Sequence, residues 1–483
     1  MITNEIQRID NFVDNDRTNV VIQGIGFVGA AMLAAISNAT DQAGNYLYNA
    51  IGVDLCGDEH SWKIDSVNTG MSPIQSSDAS LDAAYREAKS RGNLLATCNE
   101  FAYSVADIVV VDMNLDINKN TLGDAADYSF TFDSYLKGIR AIGDHISPET
   151  LVIIESTVPP GSTENVIYPF LKGIFEERNL EDSSISLAHS YERVMPGEGY
   201  LSSITNYYRV FAGIDENSAE KAERFFESFI NVSDYPLTRL HSTNASEMAK
   251  VLENSYRAMN IAFMQEWTEF ADVAGVNLFD VIDAIRMRPT HKNIMAPGLG
   301  VGGYCLTKDA LLADYGYRNI FKGEKSLSMS IEAININDMM PQFTYKLLHE
   351  ANIDALNANI AILGVSYLND VGDTRYTPTG LLFDLLSEGN SNVHLYDPYI
   401  KFWEEKDKVV NTTLHSKSGL DVEVIIFAVS HKEYREITLE QLQVAFPSLK
   451  CVVDANNVIN SRVAKSIVSS GVQFIGLGKT KNS

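Results

Sequence analysis

Short apolar runs separated by helix-forming stretches are the first pattern along the chain. The runs cover residues 20–23, 50–53, 108–111 and 151–154, and Val, Ile, Ala and Leu make up most of them. Continuous apolar runs of this length are typical of strands that are buried on both faces. Their alternation with helical stretches predicts a doubly wound parallel sheet.

The middle of the chain changes to a helical period. Residues 244–274 contain neither Pro nor Gly, and apolar side chains recur three or four positions apart from Met248 to Trp267. This spacing predicts one helix of about 30 residues, roughly 45 Å long, which would suit a spine between two domains. Residues 286–309 are rich in Gly and Pro and predict a long loop of functional importance.

A second group of apolar runs follows a further helical stretch at 326–350. These runs cover residues 360–364, 393–397, 423–427 and 451–454. They predict a second parallel-sheet domain. We therefore predict three parts: an α/β domain over 1–240, a central helical domain over 241–345 that includes the long loop, and an α/β domain over 346–483.

Composition and charge narrow the possible functions. Hydrophobic residues make up 45% of the 483 residues, which is typical of an ordered globular protein. The net charge of −25 disfavours nucleic acid and anionic membrane surfaces as partners. No apolar run approaches the roughly 18 residues that a bilayer span requires, and the polar first 19 residues contain no signal-peptide core.

Cysteine and histidine usage indicates the chemistry of the compartment. Cys56, Cys98, Cys305 and Cys451 lie far apart, without metal-ligand spacing or the density of a disulfide framework, and the nine His residues are scattered. We therefore predict no metal site and a location in a reducing cytoplasm.

A glycine-rich turn follows the first apolar run. Gly24-Ile25-Gly26-Phe27-Val28-Gly29 fits the G-x-G-x-x-G pattern between a strand and a helix, where backbone and helix N-terminus can meet a pyrophosphate. Asp54 ends the next strand and can accept hydrogen bonds from ribose hydroxyls while repelling a 2′-phosphate. The pattern predicts a Rossmann-like domain that binds NAD in preference to NADP. The alternative is a tight packing turn without a nucleotide.

Candidate chemical groups lie in the glycine-rich loop and on the long helix. Cys305 follows small residues, Lys308 can favour its thiolate, and Asp309 can handle a water or a proton. Lys250 and Asn254 share a helix face and can bind an oxyanion or sugar hydroxyls. The alternative for both groups is structural: a small buried Cys, and solvated polar side chains.

Two further polar groups follow predicted strands. Glu192-Arg193-Val194 follows the apparent strand 185–188, and Glu155-Ser156-Thr157 ends the strand at 151–154. The carboxyl ends of strands are where α/β sheets bind ligands. A structural ion pair or a cap is the alternative.

Together these motifs resemble the UDP-glucose/GDP-mannose dehydrogenase family, the NAD-dependent nucleotide-sugar 6-dehydrogenases. The resemblance runs from about Val20 to Gly478. Its motifs, in chain order, are Asn68-x-Gly70 with Pro73, Ser156–Gly161, Glu247–Asn254, the specific loop Gly300–Asp309, and Asp373–Arg375.

The resemblance implies α/β architecture with two Rossmann-like doubly wound parallel-sheet domains joined by the long central helix. It implies an N-terminal NAD-binding domain, a central dimerisation domain and a C-terminal UDP-sugar-binding domain. Further implications are a cytoplasmic homodimer or larger homo-oligomer and a role in polysaccharide biosynthesis.

The resemblance also implies a four-electron oxidation of the sugar C6 alcohol, with NAD as acceptor, through a thiohemiacetal and a thioester on a Cys. The implied catalytic roles are Cys305 as nucleophile, Asp309 assisting water, Lys250 stabilising an oxyanion, Asn254 holding the sugar or the same oxygen, Thr157 positioning water and Glu192 assisting proton transfer. The implied cofactor contacts are Gly24, Gly26, Phe27, Val28, Gly29, Asp54, Lys63, Thr157, Lys308 and Arg375. The implied substrate contacts are Glu192, Arg193, Val194, Lys250, Asn254, Arg288, Gly302 and Gly303.

Several positions depart from the family pattern. Leu368 stands where some members have a Lys that contacts the nucleotide, and Met113-Asn114 replaces Thr-Pro. The Arg expected before the cysteine loop has no clean match, so Arg288 and Lys292 are both candidates. Pro196 stands where the UDP-glucose branch often has a second Glu. The Glu-Arg-x-x-Pro-Gly form at 192–197 resembles the branch that oxidises UDP-N-acetylhexosamines.

Two alternative functions remain at this point. A two-electron hydroxyacid dehydrogenase would need neither Cys305 nor the second α/β domain. A catalytically degenerate protein that binds NAD and a nucleotide sugar is suggested by Met113-Asn114 and Leu368. Retention of Cys305 and its neighbours favours the UDP-sugar dehydrogenase.

Overall fold

The computed structural model describes residues 2–13, 15–57, 59–74, 76, 78–180, 185–194, 197–389, 392–414 and 421–479. The chain forms two compact units. Unit 1 comprises Met1–Asn118, Ser129–Leu252 and Leu312–Ser326. Unit 2 comprises Lys119–Tyr128, Glu253–Leu311 and Leu327–Ser483. The predicted division at residues 240 and 345 stays a prediction.

The described strands and helices have the following bounds. The strands are β1 (Thr18–Gln23), β2 (Tyr48–Val53), β3 (Leu94–Thr97), β4 (Ile108–Val111), β5 (Asn118–Thr121), β6 (Asp124–Ser129), β7 (Leu151–Ile154), β8 (Ser186–Tyr191), β9 (Val210–Gly213), β10 (Thr238–Arg239), β11 (Asn359–Leu363), β12 (Asn392–Tyr396), β13 (Phe402–Trp403), β14 (Lys408–Val409), β15 (Val424–Phe427), β16 (Cys451–Asp454) and β17 (Gln473–Gly476). The helices are α1 (Ile2–Val13), α2 (Phe27–Ser37), α3 (Ser61–Asn68), α4 (Ala79–Arg91), α5 (Asp133–Gly143), α6 (Tyr168–Glu177), α7 (Ser202–Thr205), α8 (Glu216–Glu227), α9 (Thr243–Ala274), α10 (Leu278–Arg286), α11 (Asp309–Tyr315), α12 (Ser328–Glu350), α13 (Thr379–Ser387), α14 (Lys432–Arg435), α15 (Leu439–Ala445) and α16 (Ser461–Ser469).

Unit 1 is built on an eight-stranded sheet in the order β10-β9-β8-β7-β4-β1-β2-β3. Its strand pairs are parallel except for β8 and β9, which are antiparallel. Val20 and Ile22 belong to one buried cluster and Val21 belongs to another, because successive side chains of a strand point to opposite faces. Both faces of the sheet are therefore covered, which explains the continuous apolar runs in the sequence.

Unit 2 contains a smaller parallel sheet in the order β12-β11-β15-β16-β17. Ile360 and Ile362 pack into one cluster, whereas Ala361 and Leu363 pack into a second cluster on the other face. The unit also contains the two-stranded sheets β5-β6 and β13-β14. The predicted α/β class with parallel Rossmann-like sheets is confirmed in both units.

The predicted long helix is α9, which has 32 residues and begins one residue before the predicted start. Its amphipathic pattern leaves a row of large apolar side chains exposed. The exposed members of this row are Met248, Leu252, Tyr256, Phe263, Trp267, Phe270 and Val273. In the described part of the chain, no helix is both long enough and apolar enough to cross a membrane.

The cysteine pattern requires a correction. Cys56 and Cys98 form a disulfide across 42 residues of sequence, with their Cα atoms 5.2 Å apart. The spacing of the two cysteines does not predict this pair, since they come together only when β2 and β3 lie side by side. Cys305 is exposed and Cys451 is buried, and neither belongs to the disulfide.

Candidate active site

The glycine-rich turn has the geometry that its pattern predicts. Gly24 has φ +93°, and a Cβ there would lie 2.8 Å from the Asp112 carbonyl oxygen. A Cβ at Gly29 would lie 2.0 Å from the Gly24 carbonyl oxygen. A Cβ at Gly26, in contrast, would meet nothing within 4 Å. The first and third glycines are therefore required by packing, and the second leaves open space at the N-terminus of α2.

Asp54 lies at the carboxyl end of β2, beside this turn. Its Oδ2 accepts hydrogen bonds from the Ile25 amide at 3.0 Å and from Lys63 Nζ at 3.1 Å, and its Oδ1 accepts from the Leu55 amide at 2.8 Å. A carboxylate has about four acceptor positions, so capacity for a ribose hydroxyl remains. The open backbone, the helix N-terminus and this carboxylate fit a dinucleotide with an unphosphorylated ribose.

The start of α2 is held from one side by Tyr200. The Tyr200 hydroxyl donates to the Phe27 carbonyl oxygen, and the two rings are 4.6 Å apart. Val28 packs against the same core cluster as a partly buried residue. Phe27 and Val28 are thus fixed in position at the helix end that the sequence assigned to the cofactor.

Lys250 and Glu192 come together in unit 1. Lys250 Nζ donates to the Glu192 carbonyl oxygen at 2.9 Å and lies 3.4 Å from Glu192 Oε1. Both side chains are largely buried, with 11% exposure each. This pair places an ammonium group beside a carboxylate at the end of β8. An ammonium group can stabilise an oxyanion, and a carboxylate can exchange a proton.

His189 lies in the same region, although it was not among the predicted site residues. Its Nδ1 is 2.8 Å from Ser246 Oγ, and the ring is fully buried. Burial, together with the charge of Lys250, lowers the pKa of His189 to about 3. The imidazole is therefore neutral at neutral pH. The sequence signal that could have identified His189 is its position inside an otherwise largely apolar strand.

Arg193 is committed to protein groups in this structure. Its Nη1 donates to the Tyr208 carbonyl oxygen at 2.9 Å, and its Nη2 donates to the Tyr191 hydroxyl at 3.0 Å. Val194 donates its amide to Glu192 Oε2. Met195 and Pro196, which belong to the same motif, lie outside the described residues.

A buried polar cluster lies beneath the cofactor turn. Arg209 pairs with Glu155, and both side chains are almost fully buried. Asp112 follows β4, and burial together with the charge of Glu192 raises its pKa well above its usual range. Thr157, two residues beyond Glu155, is half-buried. Asp112 was not among the predicted site residues, because the departure from the family pattern falls on its neighbours Met113 and Asn114.

The N-terminal part of α9 orders the loop that contains Thr157. Glu247 Oε2 accepts from the Gly161 amide at 2.6 Å, and Glu247 Oε1 accepts from the Thr163 amide at 2.7 Å. Because Lys250 lies three residues after Glu247 on the same helix, the Thr157 loop and Lys250 share one support.

Cys305 and Asp309 lie in unit 2, at the start of α11. The amide of Asp309 donates to the Cys305 carbonyl oxygen at 3.0 Å, so the two residues form one helical turn. Cys305 is exposed, whereas Asp309 has 1% exposure. Asn254 Nδ2 donates to Asp309 Oδ2 at 2.6 Å, and Lys308 Nζ lies 3.5 Å from Asp309 Oδ1. An accessible thiol thus stands beside an oriented, buried carboxylate.

The glycines before Cys305 are pressed against a tyrosine. A Cβ at Gly302 would lie 2.6 Å from Tyr367 Cβ, and a Cβ at Gly303 would lie 2.7 Å from Tyr367 Cε2. The Gly303 amide donates to the Arg375 carbonyl oxygen at 3.0 Å. Burial, followed by the charge of Asp373, raises the pKa of Tyr367 to about 12. Tyr367 therefore shapes the cysteine loop, and no sequence signal pointed to it.

The remaining candidates are less enclosed. The Arg375 guanidinium forms a bidentate pair with Asp373, with hydrogen bonds of 2.7–3.1 Å. Arg288 and Lys292 are exposed and flank a 3-10 turn, Pro289–His291. Among the described residues, no group of three or more His, Cys, Asp or Glu side chains is arranged to hold a metal ion.

Comparison with known families accounts for most of the chain. The UDP-glucose/GDP-mannose dehydrogenase family matches at residues 18–230 with its NAD binding domain, at 244–338 with its central domain and at 361–461 with its UDP binding domain. The chain belongs to this family. It is accordingly an oxidoreductase that uses NAD and oxidises a UDP-sugar.

Individual relatives agree over the full length. A UDP-N-acetyl-D-mannosamine dehydrogenase of Pyrococcus horikoshii is 29% identical over 471 residues, which are 95% of this chain and 99% of the relative. An NDP-N-acetyl-D-galactosaminuronic acid dehydrogenase of Ralstonia nicotianae is 27% identical over 446 residues, which are 90% of this chain and 96% of the relative. The solved structure of the UDP-D-ManNAc dehydrogenase from Pyrococcus horikoshii has a TM-score of 0.78 at 26% identity, covering 96% of this chain and 100% of that one.

Proposed function

We propose that this UDP-sugar dehydrogenase acts on a UDP-N-acetylhexosamine and oxidises its C6 alcohol by four electrons to a uronic acid. The observation that carries the four-electron reaction is the exposed Cys305 beside the buried Asp309, which Asn254 and Lys308 contact. A two-electron dehydrogenase needs no nucleophile, whereas an acid product requires a step that adds water to an acyl group.

The chemistry of Cys305 follows from its position. NAD supplies the hydride acceptor for both oxidations when it is bound. After the first oxidation, the Cys305 thiolate adds to the aldehyde carbon and the oxygen takes a proton, which gives a thiohemiacetal. Oxidation of this adduct leaves a thioester, and water then cleaves the thioester to the acid and restores the thiol.

The other proposed catalytic side chains divide the remaining work. Asp309 accepts the proton of the attacking water, and Asn254 orients the carboxylate through its amide hydrogen bond. Lys250 stabilises negative charge on oxygen, and Glu192 exchanges protons beside it. Thr157 is proposed to position water, in line with its role in the family.

The cofactor and substrate contacts belong to the same proposal. For NAD they are Gly24, Gly26, Phe27, Val28, Gly29, Asp54, Lys63, Thr157, Lys308 and Arg375. For the substrate they are Glu192, Arg193, Val194, Lys250, Asn254, Arg288, Gly302 and Gly303.

The choice of N-acetylhexosamine rests on two observations. The Glu-Arg-x-x-Pro-Gly form at 192–197 resembles the family branch that oxidises UDP-N-acetylhexosamines, and the relatives compared above carry N-acetyl sugars in their names. Our first candidate for the substrate is UDP-N-acetylmannosamine. A cytoplasmic location and a role in polysaccharide biosynthesis complete the proposal.

A homodimer formed through α9 is also proposed. The row of exposed apolar side chains from Met248 to Val273 covers several helical turns, and exposed apolar patches of this extent mark interfaces. A second copy of the chain would cover this row in a symmetric contact.

The function is tested by counting NADH per sugar over a panel of substrates. The panel is UDP-ManNAc, UDP-GlcNAc, UDP-GalNAc, UDP-glucose and GDP-mannose. We expect two NADH per molecule of an N-acetylated UDP-sugar. One NADH per sugar would favour a two-electron dehydrogenase, and none on any substrate would favour a binding protein. Full activity on UDP-glucose alone would contradict the substrate proposal while leaving the reaction type intact.

A further inference from the structure

The Cys56–Cys98 disulfide lies at the carboxyl edge of the unit 1 sheet, where the cofactor turn is found. In the parallel pair of β2 and β3, Val53 is opposite Thr97, and the Asp54 amide donates to the Thr97 carbonyl oxygen at 3.3 Å. Cys98 follows Thr97 directly, and Cys56 lies three residues after Val53. The bond therefore ties together the two loops that leave these strands.

One of these loops carries Asp54 and Lys63, the two charged residues proposed above to contact NAD. Asp54 precedes Cys56 by two residues, and Lys63, which pairs with Asp54 at 3.1 Å, follows it by seven. Leu55, between Asp54 and Cys56, donates its amide to Asp54 Oδ1. The disulfide thus anchors the chain two residues after Asp54 to the residue that follows β3.

The pair is within reach of solvent thiols. Cys56 is exposed, and the neighbouring Leu55 has 65% exposure. Exposed disulfides are the ones that small thiols reduce, whereas buried structural disulfides resist them.

We propose that Cys56–Cys98 is a reversible thiol–disulfide site that sets the affinity of unit 1 for the adenosine half of NAD. A low-molecular-weight thiolate attacks Cys56 Sγ, the S–S bond breaks, and Cys98 leaves as a thiolate that takes a proton. A second thiol cleaves the mixed disulfide, so two thiols yield one small disulfide and two Cys thiols. Oxidation by a small disulfide reverses both steps.

The direction of the effect follows from the ordering of the loop. With the bond intact, Asp54 and its neighbours are held before the ligand arrives. After reduction, binding must also order the freed segment, and fixing roughly one extra backbone residue weakens binding by about tenfold. The Kd for NAD should therefore be about tenfold higher for the reduced protein.

The test is done in the Cys305→Ser background, which removes the other exposed thiol from the count. The protein is treated with dithiothreitol or with glutathione disulfide, and thiols are counted by maleimide tagging and mass spectrometry. NAD binding is measured by calorimetry and by the fluorescence of Trp62, which lies next to Lys63 and has 51% exposure. We expect two additional thiols and the tenfold weaker binding together, both reversed by glutathione disulfide.

The control is the double variant Cys56→Ser/Cys98→Ser. It should bind NAD like the reduced protein and respond to neither reagent. Equal Kd values in the reduced and oxidised states would overturn the proposal. A double variant that still responded would assign the effect elsewhere. Loss of the folded circular dichroism spectrum on reduction would make the bond a structural staple, which also overturns it.

Discussion

An exposed thiol and a buried carboxylate stand four residues apart in the turn that opens α11. Their difference in exposure gives each its proposed task, since a nucleophile must reach the substrate and a base must be aimed at one water. Asn254 holds Asp309 by a hydrogen bond of 2.6 Å, so the carboxylate cannot rotate freely. This arrangement leads to two predictions in which neighbouring substitutions stop the reaction at different stages.

We predict that Cys305→Ser stops the reaction after the first oxidation. The first hydride leaves from a C–H bond and needs no thiol, but a Ser hydroxyl is a far weaker nucleophile than a thiolate at neutral pH. One NADH per sugar and an aldehyde or its hydrate should accumulate. A variant that made uronate at near the unmodified rate would remove Cys305 from the mechanism.

Asp309→Asn should instead stall at the covalent stage. The substitution preserves shape and allows the bond from Asn254 to an amide oxygen, but it removes the group that accepts a proton from water, an effect of about 10²–10⁴ in rate. Intact-protein mass spectrometry should show an acyl group on Cys305. Unmodified protein during turnover would contradict the assignment.

Asp54 should determine the choice of cofactor. Like charges placed side by side cost several kcal/mol, so we expect a preference for NAD over NADP of about a hundredfold or more in kcat/KM. Asp54→Asn should reduce the preference for NAD over NADP, because Lys63 then loses its ion pair and can contact the 2′-phosphate of NADP. Lys63→Met is the matched variant and should widen it. Equal use of the two cofactors by the unmodified enzyme would refute the prediction.

At the scale of elements, the predicted and observed strand bounds agree where burial of both faces makes the whole strand apolar. β4, β7 and β16 have the predicted bounds because both of their faces are covered and every position but the last of β16 is apolar. β8 is equally buried but contains Ser186, His189 and Ser190, so only part of it was detected. The β5-β6 hairpin is polar and largely exposed, and it has no such signature.

The sequence predicts candidate site residues but not their geometry. Strand ends and the glycine-rich loop pointed to these candidates, because ligands bind where strands of an α/β sheet end, and the roles of the residues stay predictions. The contact of Lys250 with Glu192 spans 58 positions in sequence, and that of Asn254 with Asp309 spans 55. Such contacts depend on the packing of α9, which residue spacing does not encode.

The exposed face of α9 should control the oligomeric state. Phe263→Glu places a charge in the apolar row, where an unpaired buried charge strongly opposes association. Light scattering should give a mass near 53.4 kDa for this variant and twice that for the unmodified protein. Val444→Glu is the control, since Val444 is an exposed apolar residue on α15. A monomeric unmodified protein at micromolar concentration would disprove the dimer.

At the scale of the whole molecule, buried groups couple stability to pH. His189 has a pKa of about 3 in the folded protein and about 6.5 when unfolded. Its pKa is therefore lowered by folding, so the unfolded state binds the proton first as pH falls. The contribution of His189 is present above pH 6.5 and is lost between pH 6.5 and 3.

We predict that, as pH falls from 6.5 to 3, His189 alone lowers the free energy of unfolding by up to about 1.4 kcal/mol per pH unit. Urea unfolding of the protein and of His189→Gln at several pH values measures this contribution as a difference in slope. The variant should show the shallower dependence. Identical slopes would show that another group controls acid stability.

The course of the backbone decides how the gene can be divided. After the cysteine loop, the chain returns to unit 1 at Leu312–Ser326. In this segment, the centre of the Tyr315 ring lies 4.3 Å from the centre of the Phe130 ring. A Cβ at Gly316 would lie 2.7 Å from the Pro160 carbonyl oxygen, so this late segment is closely fitted. A fragment ending near residue 240 would omit it and leave Phe130 and Pro160 uncovered. Recombination that exchanges unit 1 between relatives must therefore carry three separate stretches of coding sequence, or the hybrid inherits mismatched packing.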